Sequence, residues 1–378
     1  MAPFSMFLAL EPRLRDVWHL SNTASGWISS AYYAGYMVAV PVLVSVTDRV
    51  DARSVWLGST ALAALSAVGF GLTAQGMATA LLFQFLAGAA LAGTYMPGLK
   101  LIADRISGVI HPRYVAFYTT SFTVGSSASF YAIGRLESWL PWQTAVASAA
   151  VGPVIAWLLV FAFLPAAPPR TVEHTGDSLR HWKAVARSAD AVRYVLAYAC
   201  HMWELFAVRA WLVPFLVFVE TIQGRPAFAS AATVAALISL IGVPASLAGA
   251  ELSARMDRRG LVTTIMLLSA VTSILLGLTI STTWAIVITM AVVYNVFVSA
   301  DSAALTSGIV AVAPPESRGT AMALYSMAGF AAASAGSLAV GALLDALGGQ
   351  SVTSWAFAFA MIGASNIVGA NILGRART

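Results

Sequence analysis

Long apolar runs separated by short polar turns make up most of this chain. A run of about 20 apolar residues is the length that crosses the hydrocarbon core of a bilayer as an α-helix. The pattern therefore predicts an all-α membrane protein. Eleven runs of this kind are predicted as spans, near residues 23–47, 55–74, 78–103, 114–134, 142–164, 191–219, 228–253, 260–281, 283–312, 319–344 and 351–374.

The first ten residues are also apolar, but Glu11 and Pro12 interrupt them at about half the length of a span. They lack the basic region and the small-residue cleavage site of a signal peptide. We interpret them as the tail of a truncated helix, which we count as helix 1. The chain would then have about 12 transmembrane helices, the first of them incomplete.

Residues 165–190 form the longest polar stretch and contain three prolines. This composition is typical of a linker, so we predict membrane bundles at residues 1–164 and 191–378. Basic residues favour the cytoplasmic side, which predicts a cell (inner) membrane protein with linker and C-terminus inside. The predicted cytoplasmic turns and C-terminus hold Arg49, Arg53, Arg105, Arg113, Arg255, Arg258, Arg259, Arg318, Arg375 and Arg377, against Arg13, Arg15, Arg135 and Arg225 outside.

The composition excludes several classes of protein. Of the 378 residues, 59% are hydrophobic and only 10% are charged, whereas soluble domains carry about 25% charged residues. A soluble enzyme, a nucleic-acid binder and a disordered chain are therefore excluded, and lipids are the expected surroundings. The net charge of +5 fits basic cytoplasmic loops. The single Cys200 excludes a disulfide framework, and without a phosphate-binding loop we expect no cofactor and no ATP-driven step.

Two stretches of the chain recur at nearly the same offset. A shift of about 206 positions places Val44 to Arg53 (VSVTDRVDAR) over Ala250 to Arg259 (AELSARMDRR). Nearly the same shift places Pro112 to Ser121 over Ser317 to Ser326. This repeat predicts two related six-helix bundles.

On these features the chain resembles the major facilitator superfamily over almost its whole length. That family's turn between helices 2 and 3 reads G-x-L-a-D-R-x-G-R-K, and Asp48, Arg49 and Arg53 match its Asp, first Arg and final base. The glycines are replaced by Val44 and Asp51. The resemblance implies a secondary transporter that works by alternating access, with the monomer as the default state.

The second copy of the turn keeps Arg255, Arg258 and Arg259 but has Ala254 in place of the Asp. An Asp at a helix end can accept backbone hydrogen bonds and pair with bases on a neighbouring helix. We therefore expect a cytoplasmic gate, stronger in the N-terminal half, unless these residues only cap and anchor their helices. The expected gate residues are Asp48, Arg49, Arg53, Arg255 and Arg258.

Ionisable residues at mid-membrane depth are the main candidates for function, because each costs a few kcal/mol to bury. Helix 7 contains His201, Glu204 and Arg209, and helix 10 contains Asn295 and Asp301. At about 100° per residue, His201 and Glu204 lie roughly 60° apart and can touch, while Arg209 lies roughly 140° from Glu204.

The family resemblance implies that helices 1, 4, 7 and 10 line a central cavity. We expect Arg209 to bind an anionic group of a small organic solute. We expect Glu204 and Asp301 to carry a coupled proton, tuned by His201. Asp301, Asn295 and Trp203 are further candidates for substrate contacts. The antiporter motif of helix 5 is not matched at residues 123–134, which favours symport or uniport.

Three other interpretations stay open. In the first, Arg209 and Asp301 form a permanent salt bridge, and Ser and Asn neighbours satisfy His201 and Glu204. In the second, the chain is a membrane enzyme with His201 and Glu204 as acid and base, although its five histidines are scattered without metal-ligand spacing. In the third, it is a sensor or assembly partner that lost transport, which would fit the shortened helix 1.

Overall fold

The computed structural model describes residues 2–105, 111–168, 178–224, 229–314 and 317–375. All regular elements within these ranges are helices, as predicted. Residues 169–177 of the predicted linker, Arg225 and Arg377 lie outside them. The α-helices are α1 (Ser5–Leu8), α2 (Glu11–Trp18), α3 (Asn22–Val46), α4 (Ala52–Thr73), α5 (Met77–Arg105), α6 (His111–Leu136), α7 (Trp142–Ala147), α8 (Val151–Phe163), α9 (Ser178–Arg187), α10 (Ala189–Gln223), α11 (Ala231–Arg255), α12 (Arg258–Leu278), α13 (Trp284–Ala300), α14 (Ser302–Val312), α15 (Arg318–Ala346) and α16 (Val352–Gly374).

Ten helical stretches in the described part of the chain are long and apolar enough to cross a membrane. They agree with ten of the eleven predicted spans and make this a multi-pass membrane protein. Two are interrupted: a 3₁₀ turn at Ser148–Ala150 joins α7 to α8, and a break at Asp301 separates α13 from α14. The total of 12 helices and the internal repeat stay predictions.

The chain divides into two compact units. The first comprises Met1–Leu20, Trp27–His174 and Ala229–Leu237, and the second comprises Ser21–Gly26, Thr175–Phe228 and Ile238–Thr378. Two long helices, α3 and α11, are therefore divided between the units. The buried polar site around Glu204, described below, lies wholly in the second unit.

In the first unit, α3 and α5 cross at a pair of glycines. A Cβ on Gly35 would lie 2.0 Å from the carbonyl oxygen of Phe85, and a Cβ on Gly88 would lie 1.8 Å from that of Tyr32. Side chains at either position would push the helices apart, so the crossing depends on both glycines. The 3₁₀ turn at Ala2–Phe4 packs beside this crossing, with the Phe4 ring 5.3 Å from the Tyr32 ring.

In the second unit, α10 runs through the middle and packs against α15 and α16. Ser188 caps its N-terminus, and Gly224 ends it with a φ of 59°, a left-handed conformation that glycine adopts without strain. Trp355 of α16 is 1% exposed and packs its ring against Trp211 and Phe215 of α10. Aromatic packing on α10 therefore fixes the helix that carries the buried charges.

Candidate functional site

Glu204 lies in the middle of α10 and is completely buried. Its Oε1 accepts hydrogen bonds from Ser269 Oγ of α12 at 2.9 Å and from Tyr294 Oη of α13 at 3.0 Å. Its Oε2 accepts from Ser269 Oγ at 3.0 Å and from Asn366 Nδ2 of α16. A buried carboxyl group is tolerated when hydrogen bonds replace its hydration, and three neighbouring helices supply them here.

His201 and Asp301 form a second buried pair, in which both residues are no more than 1% exposed. His201 Nδ1 lies 2.8 Å from Asp301 Oδ1, but the two atoms are not aligned for a hydrogen bond. The imidazole Nε2 has no hydrogen-bond partner among the described residues. The attraction within the pair therefore depends on charge, and so on where its proton resides.

Asp301 occupies the break between α13 and α14, where the sequence predicted one continuous helix over 283–312. Its carbonyl oxygen still accepts from the backbone N–H of Leu305 at 2.8 Å, so α14 resumes at once. Beside the break, a Cβ on Gly249 would lie 1.8 Å from the carbonyl oxygen of Ala300. The backbone of α11 thus packs directly on the end of α13. Hydropathy did not indicate this break, because both pieces are apolar.

The structure gives His201 and Glu204 separate partners, although their spacing on α10 allowed them to touch. His201 faces Asp301, while Glu204 is held by Ser269, Tyr294 and Asn366. The serine and asparagine bonds to Glu204 agree with one part of the structural alternative drawn from the sequence. The contact of Asp301 with His201 does not belong to that alternative, which paired Asp301 with Arg209.

The other predicted substrate residues have different surroundings. Arg209 is half-buried, and its guanidinium carbon lies 5.4 Å from the centre of the Phe206 ring. Trp203 is half-buried against Gly336 of α15, and its indole N–H has no hydrogen-bond partner among the described residues. Asn295 Nδ2 donates to the carbonyl oxygen of Ile238 at 2.7 Å, which ties α13 to α11.

Sequence reasoning missed the three side chains that hold Glu204, namely Ser269, Tyr294 and Asn366. Each is an ordinary polar residue of an apolar helix, and each is buried. Asn366 carried the strongest signal, because an amide in the middle of the last apolar run needs a partner. The sequence alone did not show that this partner was Glu204.

A small apolar cavity lies beside Tyr294 in the second unit, between α10, α11, α12, α13 and α16. Among its lining residues are Trp211, Asn295 and Trp355. The indole N–H of Trp355 has no hydrogen-bond partner among the described residues. The cavity has room for about one water molecule.

The basic turn between α3 and α4 holds two acids with distinct partners. Asp48 Oδ1 accepts from Lys100 Nζ of α5 at 2.8 Å, and Lys100 also donates to the Thr47 carbonyl oxygen at 2.9 Å. Asp51 caps α4, and its Oδ2 accepts from the backbone N–H of Ala167 at 2.9 Å. The sequence analysis treated Asp51 only as a departure from the family motif and missed its role as the cap of α4.

Among the gate candidates, Arg53 donates to the carbonyl oxygen of Phe161 at 2.9 Å, while Arg49, next to Asp48 in the chain, is exposed. In the second basic turn, Arg255 pairs with Glu251 at the exposed end of α11. Arg258 opens α12, and its buried Nε has no hydrogen-bond partner within the described ranges. The contacts of these arginines neither require nor exclude a gate.

A carboxylate from outside the second turn binds its third base. Arg259 Nη2 lies 2.7 Å from Asp190 Oδ1, and Arg193 Nη1 lies 3.1 Å from the same oxygen. Asp190 belongs to the first turn of α10, at the end of the predicted linker. The second turn therefore has an acidic partner even though Ala254 replaces the Asp of its motif.

The described residues contain no group of three or more His, Cys, Asp and Glu side chains placed to hold a metal ion. The polar side chains at the site form hydrogen bonds to Glu204 and a close contact between His201 and Asp301. What they can do chemically is to bind charge and to exchange protons among buried groups.

Comparison with known proteins finds one family and several solved structures that this chain resembles. A family model described as Major Facilitator Superfamily matches residues 1–278 and, in a second alignment, residues 226–375. No curated protein matches the sequence significantly.

Solved structures match nearly the whole chain. A bacterial homolog of the human lysosomal transporter Spinster is 15% identical with a TM-score of 0.76, covering 99% of this chain and 91% of that one. The nucleoside transporter NupG is 14% identical with a TM-score of 0.75 and coverages of 99% and 97%. The xylose transporter XylE from E. coli is 14% identical with a TM-score of 0.73 and coverages of 98% and 94%. At these identities the likeness is one of fold.

Proposed function

We propose that this chain, which belongs to the major facilitator superfamily and is a transporter rather than an enzyme, is a proton-coupled symporter. Its cargo in this proposal is a small anionic organic solute, moved across the cell's inner membrane by alternating access. The linker and the C-terminus lie in the cytoplasm, as the distribution of arginines favours.

The observation that carries the proposal is the burial of two carboxyl groups on neighbouring elements of one unit. Glu204 is 0% exposed and Asp301 is 1% exposed, in helices that cross a membrane. Buried ionisable groups of this kind mark proton and substrate pathways in transporters. The break at Asp301 adds to this, because interrupted helices form binding sites in secondary transporters.

The two carboxyl groups have different parts in the proposal. Asp301 exchanges its proton with His201, whose Nδ1 lies 2.8 Å away. In a buried site, a change in the charge of one partner must be balanced by an opposite change in the other. Glu204 holds a second proton within its cage of Ser269, Tyr294 and Asn366. Protonation from outside and release inside would couple transport to the proton gradient.

Arg209 is the proposed ligand of the anionic group, because a guanidinium stays cationic and binds carboxylates with two parallel hydrogen bonds. Trp203, whose indole N–H points to no described acceptor, and Asn295 and Asp301 are proposed to contact the remaining polar atoms of the solute. The anionic assignment comes from Arg209 alone. The nucleoside and xylose transporters of similar fold do not bear on it.

The cytoplasmic gate in this proposal consists of Asp48, Arg49, Arg53, Arg255 and Arg258. Support comes from the pair of Asp48 with Lys100 and from the bond of Arg53 to Phe161, which tie the first turn to α5 and α8. Such charged contacts at a helix end can be broken and remade at small cost.

Uptake measurements test the proposal. A thermal-shift screen of small organic carboxylates, with Arg209→Ala as the control, first identifies a solute. Uptake of that solute into proteoliposomes is then measured with and without an imposed proton gradient. We expect Glu204→Gln and Asp301→Asn each to abolish stimulation by the gradient, while Glu220→Gln, a matched change in the same helix, leaves it intact. Stimulation that survives both substitutions would refute the proton-carrier assignment.

A second candidate function is a sensor or assembly partner that has this fold but transports nothing. The complete hydrogen bonding of Glu204 favours it, because a fully satisfied carboxylate also suits a static structural role. Failure of every carboxylate in the screen to shift the melting temperature or to enter proteoliposomes would favour this candidate.

A further inference from the structure

The short helix α9, Ser178–Arg187, differs in composition from the helices around it. It includes Trp182, Lys183 and Arg187 within ten residues. A span needs about 20 mostly apolar residues, so α9 does not cross a bilayer. Ser188 alone separates it from α10, which is long and apolar enough to cross. The function proposed above gives no part to any residue of α9.

The connection to α10 sets where α9 lies. Ser188 has a φ of -80° and a ψ of 100°, an extended conformation that turns the chain away from the axis of α10. Two residues span at most about 7 Å, so Arg187 stays close to Ala189, the first residue of α10. α9 therefore ends beside the start of a membrane-spanning helix, at the boundary between bilayer and water.

Packing holds α9 at the same end of the second unit. It contacts α10 and α15, and Val185, which is 0% exposed, belongs to a buried core cluster with Tyr194, Val262 and Ala321. Those three residues lie in the first two turns of α10, α12 and α15. α9 is therefore fixed beside the starts of three membrane-spanning helices, at the level where they enter the membrane.

The face of α9 opposite Val185 is basic. At about 100° per residue, Lys183 and Arg187 lie about 40° apart and each about 160° from Val185. Both side chains are exposed, and neither forms an ion pair with another described residue. The next acid along the chain, Asp190, is bound to two arginines of α10 and α12 instead. The positive charges of this face are therefore available to a partner.

A tryptophan lies on the flank of this basic face. Trp182 is 39% exposed and lies about 60° from Val185 and 100° from Lys183 around the helix. Tryptophan favours the membrane–water boundary, because its ring is apolar and its N–H group is polar. Arg318, exposed as the first residue of α15, adds another base at this end of the unit. A short amphipathic helix with bases and a tryptophan is typical of helices that lie in the membrane surface.

Anionic phospholipids are the partner that fits this surface. Their headgroups present negative charge at the level of α9, and each Lys or Arg near such a surface strengthens binding by about fivefold. Headgroups without net charge, such as phosphatidylcholine, do not supply this attraction. A soluble acidic partner would match the bases but would leave the Trp182 ring without the apolar surroundings of the boundary.

We propose that α9 is an interfacial helix that binds anionic phospholipids. Lys183 and Arg187 contact the lipid phosphates, and the Trp182 ring enters the boundary between headgroups and acyl chains. With the linker in the cytoplasm, the leaflet concerned is the inner one. The inference goes beyond the proposed function, because it involves neither the solute nor the buried carboxyl groups.

Quenching of a fluorophore on α9 by brominated lipids tests the proposal. In the full-length protein with Cys200→Ala, Ala186→Cys is labelled with bimane, since Ala186 is exposed one turn after Trp182. The protein is reconstituted in vesicles of equal parts phosphatidylglycerol and phosphatidylcholine, in which first one lipid and then the other carries bromine near the headgroup. We expect phosphatidylglycerol to be enriched about tenfold near the label at low salt.

Substitutions on α9 and a matched control locate the interaction. Lys183→Gln and Arg187→Gln should each lower the enrichment by about threefold to fivefold, and the double variant should abolish it. Arg375→Gln removes one exposed base at the end of α16 without touching α9, and should leave the enrichment unchanged. High salt should reduce the enrichment in the labelled protein without any further substitution, because it screens exposed charges.

Three results would overturn the proposal. Equal quenching by the two lipids would show that α9 does not select anionic headgroups. Enrichment that survives the double variant, or that Arg375→Gln lowers as much as Lys183→Gln does, would show that α9 is not the binding surface. Absence of quenching by either lipid would show that α9 stands clear of the bilayer and leave its basic face to a soluble partner. Should the double variant not fold, the two single variants and the salt series decide between the same outcomes.

Discussion

The two basic turns of the chain form ion pairs whose acids come from different places. In the turn between α3 and α4, Asp48 of the motif itself pairs with Lys100 at 2.8 Å. In the turn between α11 and α12, Ala254 stands where that acid belongs, and Asp190 from the start of α10 pairs with Arg259 at 2.7 Å. The acid of the ion pair therefore belongs to the motif in the first turn and to a distant part of the chain in the second.

The difference teaches that a missing motif residue does not mean a missing interaction. Asp190 lies 64 positions before Ala254 in the sequence, so no local pattern connects it with the second turn. It comes near because α10 and α12 both begin at this end of the second unit. Our expectation that any gate is stronger in the N-terminal half now depends on the measured strengths of the two pairs.

Removal of the capping acids should have the largest effect and should separate the two turns. Asp51 caps α4, accepts from the backbone N–H of Ala167 and lies 3.6 Å from Arg105. Asp257 caps α12 by accepting a hydrogen bond from the backbone N–H of Gly260 at 2.8 Å. We expect Asp51→Ala to lower the free energy of unfolding by about 2 kcal/mol and Asp257→Ala by about 1 kcal/mol.

Unfolding of the detergent-solubilised protein by heat and by denaturant measures both variants under the same conditions. Asp16→Ala, which removes an exposed acid of the first unit, serves as the control for loss of one negative charge. Equal losses at Asp51 and Asp257 would show that the contacts of Asp51 beyond its cap contribute nothing.

Loss of the pair of Asp48 with Lys100 should have the second-largest effect on stability. The side chains of Lys100 and Asp48 are 21% and 32% exposed, so water screens their attraction only in part. We expect Asp48→Asn to lower stability by about 1 kcal/mol. In a double-mutant cycle with Lys100→Met, the loss in the double variant should be smaller than the sum of the two single losses.

The same variant tests the gate. If Asp48 helps to close the cytoplasmic side, Asp48→Asn should increase the labelling of a cysteine introduced near that end in a Cys200→Ala background. Unchanged labelling together with unchanged uptake kinetics would leave Asp48 as a structural anchor of α3 on α5.

The sequence was informative about properties that depend on local composition. Span length and hydrophobicity located the helices, and rare charges in apolar runs singled out Glu204, His201 and Asp301, which the structure shows to be buried. These features follow from the cost of polar groups in a bilayer, which each segment meets on its own. The sequence did not predict the break at Asp301, because the break changes backbone geometry without changing hydropathy.

The sequence was uninformative about which polar residues meet. Ser269, Tyr294 and Asn366 lie 65, 90 and 162 positions from Glu204, and they converge only through the packing of four helices. Helical periodicity relates residues one turn apart and says nothing about neighbouring helices. Asp190 and Asp51 were overlooked for the same reason, because their partners Arg259 and Ala167 are distant in sequence.

The pair of Asp190 with Arg259 should show the smallest effect of the three. Its side chains are 44% and 32% exposed, and exposed ion pairs are worth about 0.2–1 kcal/mol. We expect Asp190→Asn to lower stability by about 0.5 kcal/mol, and added salt to reduce this loss by screening the pair. Thermal unfolding at low and high salt measures both quantities, with Glu251→Gln at the more exposed pair to Arg255 as a control of no measurable effect. A loss at Asp190 as large as that at Asp48 would show that the distant acid replaces the motif Asp in full, and the second turn would then be as firmly held as the first.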